Sequence, residues 1–218
     1  MVNKKRSIIK IEGLIALIPL FLLLYKFYII INLIKNERMY VMDGKVILNL
    51  AISIDGYIAD ENGGFDWIVG NDDNSLNTNN KWDFGNFLED IDVIVMGKNC
   101  YDQGFHKDYK EKPVYIATSK TMDDYENYHF INDNLCETIL KFKNEGKNIF
   151  LFGGGGLVDN FLKADIIDQF IVGIIPTILG KGIPLFLENN PKIDLHLDSY
   201  IIENGIAILQ YSKTNESL

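Results

Sequence analysis

Four consecutive glycines, Gly153 to Gly156, follow directly on the apolar run Ile149 to Phe152 and lead into the amphipathic stretch Leu157 to Lys163. Glycine loses more backbone freedom on folding than any other residue, so four in a row are costly unless something must approach the backbone closely. A buried strand that turns through glycine into a helix leaves unpaired N–H groups at the helix start, with the positive end of the helix dipole behind them. An anion can sit there, and without Cβ atoms in the way a pyrophosphate reaches the amides directly. A tight packing turn is the plainer use of the same residues. Two common phosphate frames do not fit: a Rossmann turn wants glycine where Val158 stands, and a P-loop wants Gly-Lys-Ser/Thr after the glycines.

Two further strand ends carry similar chemistry. The run Val93 to Met96 meets Gly97, then Lys98, Asn99 and Cys100 at the start of a short helical stretch. Lys98 is either a point charge beside free amides or a solvated surface lysine. The run Pro113 to Ser119 ends in Thr118-Ser119-Lys120, two hydroxyls and an ammonium. Open α/β sheets bind ligands beyond the C-terminal ends of their strands. Three such ends finishing in anion-friendly residues predict one extended polyphosphate ligand, a dinucleotide. Cys100 and Cys136 are too few for a disulfide framework, and His106, His129 and His196 lie far apart, so no metal site is expected.

The elements that must position these residues alternate along the chain. Strands are expected at Val46 to Ile54, Asp92 to Gly97, Pro113 to Ser119, near His129, Asn148 to Phe152 and Ile166 to Pro176. Helices are expected at Trp82 to Glu89, Leu135 to Glu145 and Leu157 to Lys163, with a helical turn at Lys98 to Gln103. Asp55-Gly56 reads as a turn, and the polar stretch 60–80 as a long loop or lid. Ile193 to Lys213 reads as two strands around Asn204-Gly205, a strong hairpin signal. Strands alternating with helices and closed by a hairpin mean a mixed α/β sheet. With 218 residues, 47% of them hydrophobic, the chain can bury one core.

Charge divides the chain. Residues 1–41 carry seven Lys/Arg against two Asp/Glu, a balance of +5, and the remainder stands at −14. So acidic a body is a poor nucleic-acid binder, because affinity there comes mainly from neutralising phosphates. Within residues 1–41, an apolar run from Gly13 to Ile34 is interrupted by Lys26 and is long enough for a membrane span. Two readings stand. One is an uncleaved N-terminal anchor. The other is translated upstream sequence with the start at Met42, since Glu37 to Val41 can be encoded around an AGGA ribosome-binding core. In both, residues 42–215 form the functional domain.

The body resembles the dihydrofolate reductase-like superfamily, in particular the reductase domain of bifunctional riboflavin-biosynthesis deaminase/reductases. The markers are Ala-Ile-Ser-Ile-Asp-Gly-Tyr-Ile-Ala at 51–59, Val-Met-Gly-Lys-Asn-Cys-Tyr at 95–101, Ile-Ala-Thr-Ser-Lys at 116–120, Phe-Gly-Gly-Gly-Gly at 152–156, and the segment from Asp165 to Phe186. The resemblance spans about residues 45–212. It implies a three-layer α/β fold: a mixed, mostly parallel central sheet, helices on both faces and a C-terminal β-hairpin. It also implies a cytoplasmic, NADPH-dependent reductase that forms a homodimer. Ala51, Ile58 and Ala59 would line the nicotinamide region, with Trp67 bordering the loop over it. Gly97, Lys98, Asn99 and Cys100 would open the helix that receives the phosphates, Lys98 matching a basic residue at the ribose 2′-phosphate. Ser119 and Lys120 would lie at the adenosine end. Gly153, Gly154, Gly155 and Gly156 would form the pyrophosphate turn, and Leu157 would begin its helix.

Two departures bear on the substrate. Riboflavin-pathway reductases carry glutamate just before the paired glycines, and this chain has Phe152. Dihydrofolate reductases carry an acidic residue on the helix after the lid, and Asp83 lies near that place. Asp83 is thus the catalytic candidate, with helix capping as its ordinary alternative. The expected activity is hydride transfer from NADPH to a small heteroaromatic, pterin- or pyrimidine-like, or to an imine or carbonyl. A true dihydrofolate reductase and a non-catalytic NADP(H)-binding module are the rivals. Under the anchor reading of residues 1–41, the protein would instead be membrane-attached.

Overall fold

Side chains along β1 (Val46–Ser53) alternate between two apolar layers, which is how a central strand buried on both faces reads. Val46 and Leu48 join one core, and Ile47 joins the other. The computed structural model describes residues 44–214 together with Lys26. Both readings of residues 1–41 therefore concern a segment outside the described residues, Lys26 apart. Among the described residues, no helix is long and apolar enough to cross a membrane.

The remaining elements run in chain order. They are β2 (Tyr57–Ala59), α1 (Phe84–Glu89), β3 (Val93–Gly97), α2 (Lys98–Asp102), a 3₁₀ turn (Phe105–Tyr109), β4 (Val114–Ala117) and β5 (Tyr128–Ile131). Then follow α3 (Leu135–Asn144), β6 (Ile149–Gly153), α4 (Gly155–Lys163), β7 (Gln169–Ile175), β8 (Ile183–Pro184), β9 (Leu195–Glu203) and β10 (Ile206–Lys213). Eight strands form one sheet in the order β5-β4-β3-β6-β1-β7-β10-β9. Pairings from β5 through to β7 are parallel, and β10 pairs antiparallel with both β7 and β9. The hairpin turn has φ of 53° at Asn204 and 80° at Gly205, the left-handed pair that a two-residue turn between twisted strands requires.

Helices cover both faces. Ile139 of α3 and Leu157, Val158 and Phe161 of α4 pack with Val95, Ile149 and Leu151 on one side. Phe87 of α1, Tyr101 of α2 and Tyr109 pack with Ile94, Met96 and Phe150 on the other. The mixed, mostly parallel three-layer α/β arrangement with its closing hairpin is as expected. At the first turn of the sheet, Asp168 accepts from the Val46 amide at 2.8 Å and from Lys143 Nζ at 2.6 Å, tying β1, β7 and α3 together. The pair β2–β8 is a separate two-stranded piece, Tyr57 opposite Pro184 and Ala59 opposite Ile183.

Candidate functional site

Pairing of β6 with β1 stops at Leu48 opposite Leu151, while β1 runs on to Ser53 beside β7. Past that point β6 turns out of the sheet through its glycines into α4, on one face. Its other neighbour β3 turns at Gly97 into α2, on the opposite face. Strands whose helices leave to opposite sides open a crevice between them, the place where open α/β sheets take ligands. Here it is a cleft of about 840 Å³, towards the large end for small-molecule sites.

The four glycines do different work. Gly153 has φ of 116°, and its carbonyl accepts from the Cys100 thiol at 3.8 Å, joining the ends of β6 and α2. Gly154, the N-cap of α4, has φ of 51° and ψ of 145°, a conformation that side-chain-bearing residues rarely adopt. A Cβ on Gly155 would lie 2.5 Å from the Pro184 carbonyl, so this glycine lets β8 pack on the helix start. A Cβ on Gly154 or Gly156 would meet nothing within 4 Å. The sequence posed a choice between tight packing and anion access. Gly155 serves the first, while Gly154 and Gly156 present the helix N-terminus to open cleft.

Eleven of the residues marked from sequence line this one cleft: Ala51, Ile58, Ala59, Gly97, Lys98, Asn99, Cys100, Gly154, Gly155, Gly156 and Leu157. Gly153 supports it from behind. Ser119 and Lys120 are exposed at the end of β4, outside the lining. Trp67 is also outside it; its Nε1 donates to the Gly64 carbonyl at 3.2 Å within the loop. The loop instead contributes Glu61, Asn62, Gly63, Phe65 and Ile68. Its far half is fastened to the β9–β10 turn: Asn71 N donates to the Asn204 carbonyl, Thr78 N to Ile202, and Asn204 N to Asn77 Oδ1.

Asp83 is exposed, lies outside the lining, and accepts from the Asn86 amide at 3.0 Å as the N-cap of α1. The capping alternative is thus what the structure displays, because a carboxylate one residue ahead of a helix meets free amides before anything else. Of the other ionisable groups in the lining, Glu61 pairs with Lys181 at 2.5 Å and Lys98 with Asp102 at 2.5 Å. Burial pushes the Cys100 thiol up, so it stays protonated at neutral pH.

Other lining residues carry little or no signal of this role in the sequence. Phe65, Phe105 and Phe152 form a row, with ring centroids 5.1 Å apart at each step. Asn49 lies on the β1 floor, and Ile183 of β8 closes the rim. Asn49 left a readable signal, a polar amide interrupting an apolar strand. Phe65 and Phe105 left none; Phe152 stands out in the sequence only as the residue before the glycines, and the row that its ring joins is scattered over the chain.

Asp55 holds the rim in place. Its carboxylate accepts from Ser53 Oγ at 2.7 Å, from Gly180 N at 2.7 Å and from Leu179 N at 3.1 Å, binding the β1–β2 turn to the segment that returns as β8. The Ser53 hydroxyl is the largest cause of a lowered Asp55 pKa; burial opposes it, and the two amides add to the lowering. A carboxyl whose folded pKa is depressed stabilises fully above its unfolded value, about 3.9, and loses that contribution as pH falls through the folded value. Asp55→Asn should therefore melt below the parent at neutral pH, and the gap should narrow on acidification below about pH 4. Melting temperature against pH checks this; parallel curves would remove Asp55 from the acid response.

A family model described as the RibD C-terminal domain matches residues 44–204. The uncharacterized protein YwjB of Bacillus subtilis (strain 168) is 35% identical over 166 residues, covering 72% of this chain and 90% of its own. A solved structure from Shewanella sp. PV-4, named for riboflavin biosynthesis, is similar at 28% identity and a TM-score of 0.65, over 78% of this chain and 99% of that one. Dihydrofolate reductase from Enterococcus faecalis, solved with NADP(H), shares the fold at 15% identity and a TM-score of 0.54, over 80% of this chain and 99% of that one.

Proposed function

This chain belongs to the RibD C-terminal domain family, and from that premise we propose that it is an NADPH-dependent reductase acting on a small, flat heteroaromatic or an imine or carbonyl compound. The observation that carries the reading is the opening of Gly154 and Gly156 onto the cleft, on the same lining as Ala51, Ile58 and Ala59. A pyrophosphate bound to the α4 amides would extend its nicotinamide towards those three residues. When bound, NADPH supplies a hydride from the C4 carbon of its dihydronicotinamide ring.

The chain's own part is positioning. Free amides at the start of α4 hold negative charge, each charge-assisted hydrogen bond contributing about 1.5–3 kcal/mol. Small Ala51 leaves room for a ring to lie flat on β1, and Ile58, Ala59 and Ile183 exclude water from its edge. The proton that completes reduction comes from solvent water at the cleft mouth, since Asp83 caps α1 and the lining carboxylates are ion-paired. A homodimer belongs to the same reading, supported by Leu195, Leu197 and Tyr200 exposed on the sheet-edge strand β9. So does a cytoplasmic location, where NADPH is made.

The test is direct titration with NADPH, followed by loss of dihydronicotinamide absorbance against a panel of pterins, pyrimidines, imines and carbonyls. At least one class should be reduced. Tight binding without turnover on any of them would favour a cofactor-sensing module, and growth rescue under antifolate pressure would favour a true dihydrofolate reductase. Phe152 stands where riboflavin-pathway reductases have glutamate, so a riboflavin auxotroph lacking only that reductase should not be rescued. Rescue would make the phosphoribosyl-aminouracil the substrate.

A further inference from the structure

A second hollow, of about 310 Å³, opens at the other end of β1 from the cleft and shares no lining residue with it. Lys45, Gln169, Ile171, Asp198, Gln210 and Ser212 line it, beside the first residues of β1 and β7 and the last of β10. From Lys45 to Ala51 on the cleft floor the chain covers about 20 Å, at about 3.3 Å per residue. Register accounts for the polar floor. Ser212 stands opposite Gln169, and Gln210 opposite Ile171, so these four side chains share one face of the sheet.

Asp198 joins them through an irregularity of β9. Gln210 pairs with Ser199 and Tyr211 with Leu197, which leaves Asp198 as the extra residue of a β-bulge. A bulge gives up a ladder position and re-aims a side chain, and aspartate is a poor strand residue to begin with. Here the carboxylate is turned towards Ser212, whose hydroxyl donates to its Oδ1 at 3.0 Å. His196 Nε2 lies 4.0 Å from the same oxygen, and Oδ2 has no partner among the described residues. Lys45 is the counterpart across the hollow. Its main-chain N–H donates to Asn148 Oδ1 at 3.1 Å, while its ammonium has no hydrogen-bond or ion-pair partner among the described residues. Strands β1 and β9 are three spacings of about 4.8 Å apart, so the two charges face one space without pairing.

Opposite charges held apart around one hollow fit a ligand that carries both. A phosphate or dicarboxylate would be repelled by Asp198, and a polyamine by Lys45. A neutral sugar would leave both charges unanswered. An α-amino acid bears an ammonium and a carboxylate on one carbon, a dipole short enough to lie between them and to make a charge-assisted contact at each end. Gln169 and Gln210, whose side chains have no hydrogen-bond partner among the described residues, offer donors and acceptors to the rest of the molecule. Lys45 and Asp198 are the only charged residues in the lining among the described residues, so the ligand's side chain is uncharged. We propose that this hollow is a second small-molecule site, which binds a free α-amino acid with an uncharged side chain, its carboxylate on Lys45 and its ammonium on Asp198. The site is independent of the reductase cleft and fills whether or not a cofactor is bound.

Calorimetric titration of the full chain tests this, using each standard amino acid with an uncharged side chain, and L-glutamate and L-lysine beside them. Two charge-assisted contacts support a Kd of about 1 mM or tighter for at least one uncharged member, with glutamate and lysine at least about tenfold weaker. The N-acetyl derivative of the best binder lacks the ammonium, and its carboxamide lacks the carboxylate. Each should lose at least about tenfold. Lys45→Met should weaken the amino acid by a similar factor and leave the carboxamide unchanged. Asp198→Asn, which keeps an Oδ1 acceptor for Ser212, should weaken the amino acid and leave the N-acetyl derivative unchanged. A merely structural role would weaken all three ligands alike. The derivatives are compared on the parent, so the test stands even if a variant fails to fold. Absence of binding by every amino acid, or equal binding of the derivatives, would overturn the proposal. A shift in sedimentation of the two variants with no amino acid bound by the parent would make the pair a subunit contact and overturn it too. So would competition by NADPH, which would place the ligand in the cleft. Failure of the parent to bind NADPH counts against the reductase reading alone, because the titrations without cofactor still decide this one.

Discussion

A Gly156→Asp variant should lose nicotinamide dinucleotide binding by about a hundredfold or more and yet melt no lower than the parent. The two effects separate because fold and ligand use different sides of the same residue. On the folding side, a Cβ at Gly156 meets nothing within 4 Å, so the carboxymethyl group stands in open space. It occupies the first turn of α4, where negative charge is favourable by about 0.3–1 kcal/mol, and glycine is a poor helix former to begin with. On the ligand side, that open space is where a pyrophosphate would lie. The carboxylate takes its place at the amides and repels what remains, and losing one or two charge-assisted hydrogen bonds at about 1.5–3 kcal/mol each accounts for the hundredfold. Gly155→Ala should do the reverse. Its methyl would fall 2.5 Å from the Pro184 carbonyl, so β8 must shift and the melting temperature drop. Thermal unfolding by circular dichroism and fluorescence titration of NADPH on both variants decide the matter. Unchanged binding in Gly156→Asp would mean that whatever occupies the cleft does not use this turn.

That division of labour also marks how far the sequence could be read. Strand–glycine–helix junctions are local, and both appear where the pattern put them, at Gly97 and at Gly153 to Gly156. The alternation along β1, β3 and β6 and the Asn204-Gly205 turn are equally local and equally legible. What escaped is non-local or very short. Strands β2 and β8, of three and two residues, have no periodicity to detect, and they pair across more than a hundred residues of chain. Helix α4 begins at Gly155 instead of Leu157, because Gly154 already supplies the cap backbone. At Asp83 the two possible roles of a carboxylate before a helix look identical in sequence; only the geometry, with the Asn86 amide at 3.0 Å, separates them. Charge pairing is the other thing a one-dimensional reading underrates. Lys98 stands out beside Gly97 in the sequence, whereas its partner Asp102, four residues on, does not.

That partner sets the terms of cofactor choice. Lys98 Nζ lies 2.5 Å from Asp102 and 5.4 Å from the centre of the Tyr101 ring, and both ends of the ion pair line the cleft. NADPH differs from NADH by a 2′-phosphate, a dianion that must enter a body whose charge balance is −14. If Lys98 receives it, the ammonium must be shared with Asp102 or taken from it. The side chains are 29% and 57% exposed, and an exposed i,i+4 pair is worth only about 0.3–0.5 kcal/mol. A charge-assisted contact to phosphate returns about 1.5–3 kcal/mol, so the exchange favours the phosphate. Lys98→Glu should accordingly weaken NADPH about ten- to a hundredfold more than NADH. Asp102→Asn should act the other way and by less, tightening NADPH about twofold and leaving NADH unchanged, because freeing Lys98 recovers only the energy of the surface pair. Added salt should weaken NADPH in the parent and have little effect on NADH. Fluorescence titration of both cofactors against the parent and the two variants measures all three effects. Equal losses for NADPH and NADH in Lys98→Glu would mean that the lysine answers only to Asp102, and the preference for NADPH would then have no cation in the cleft to rest on.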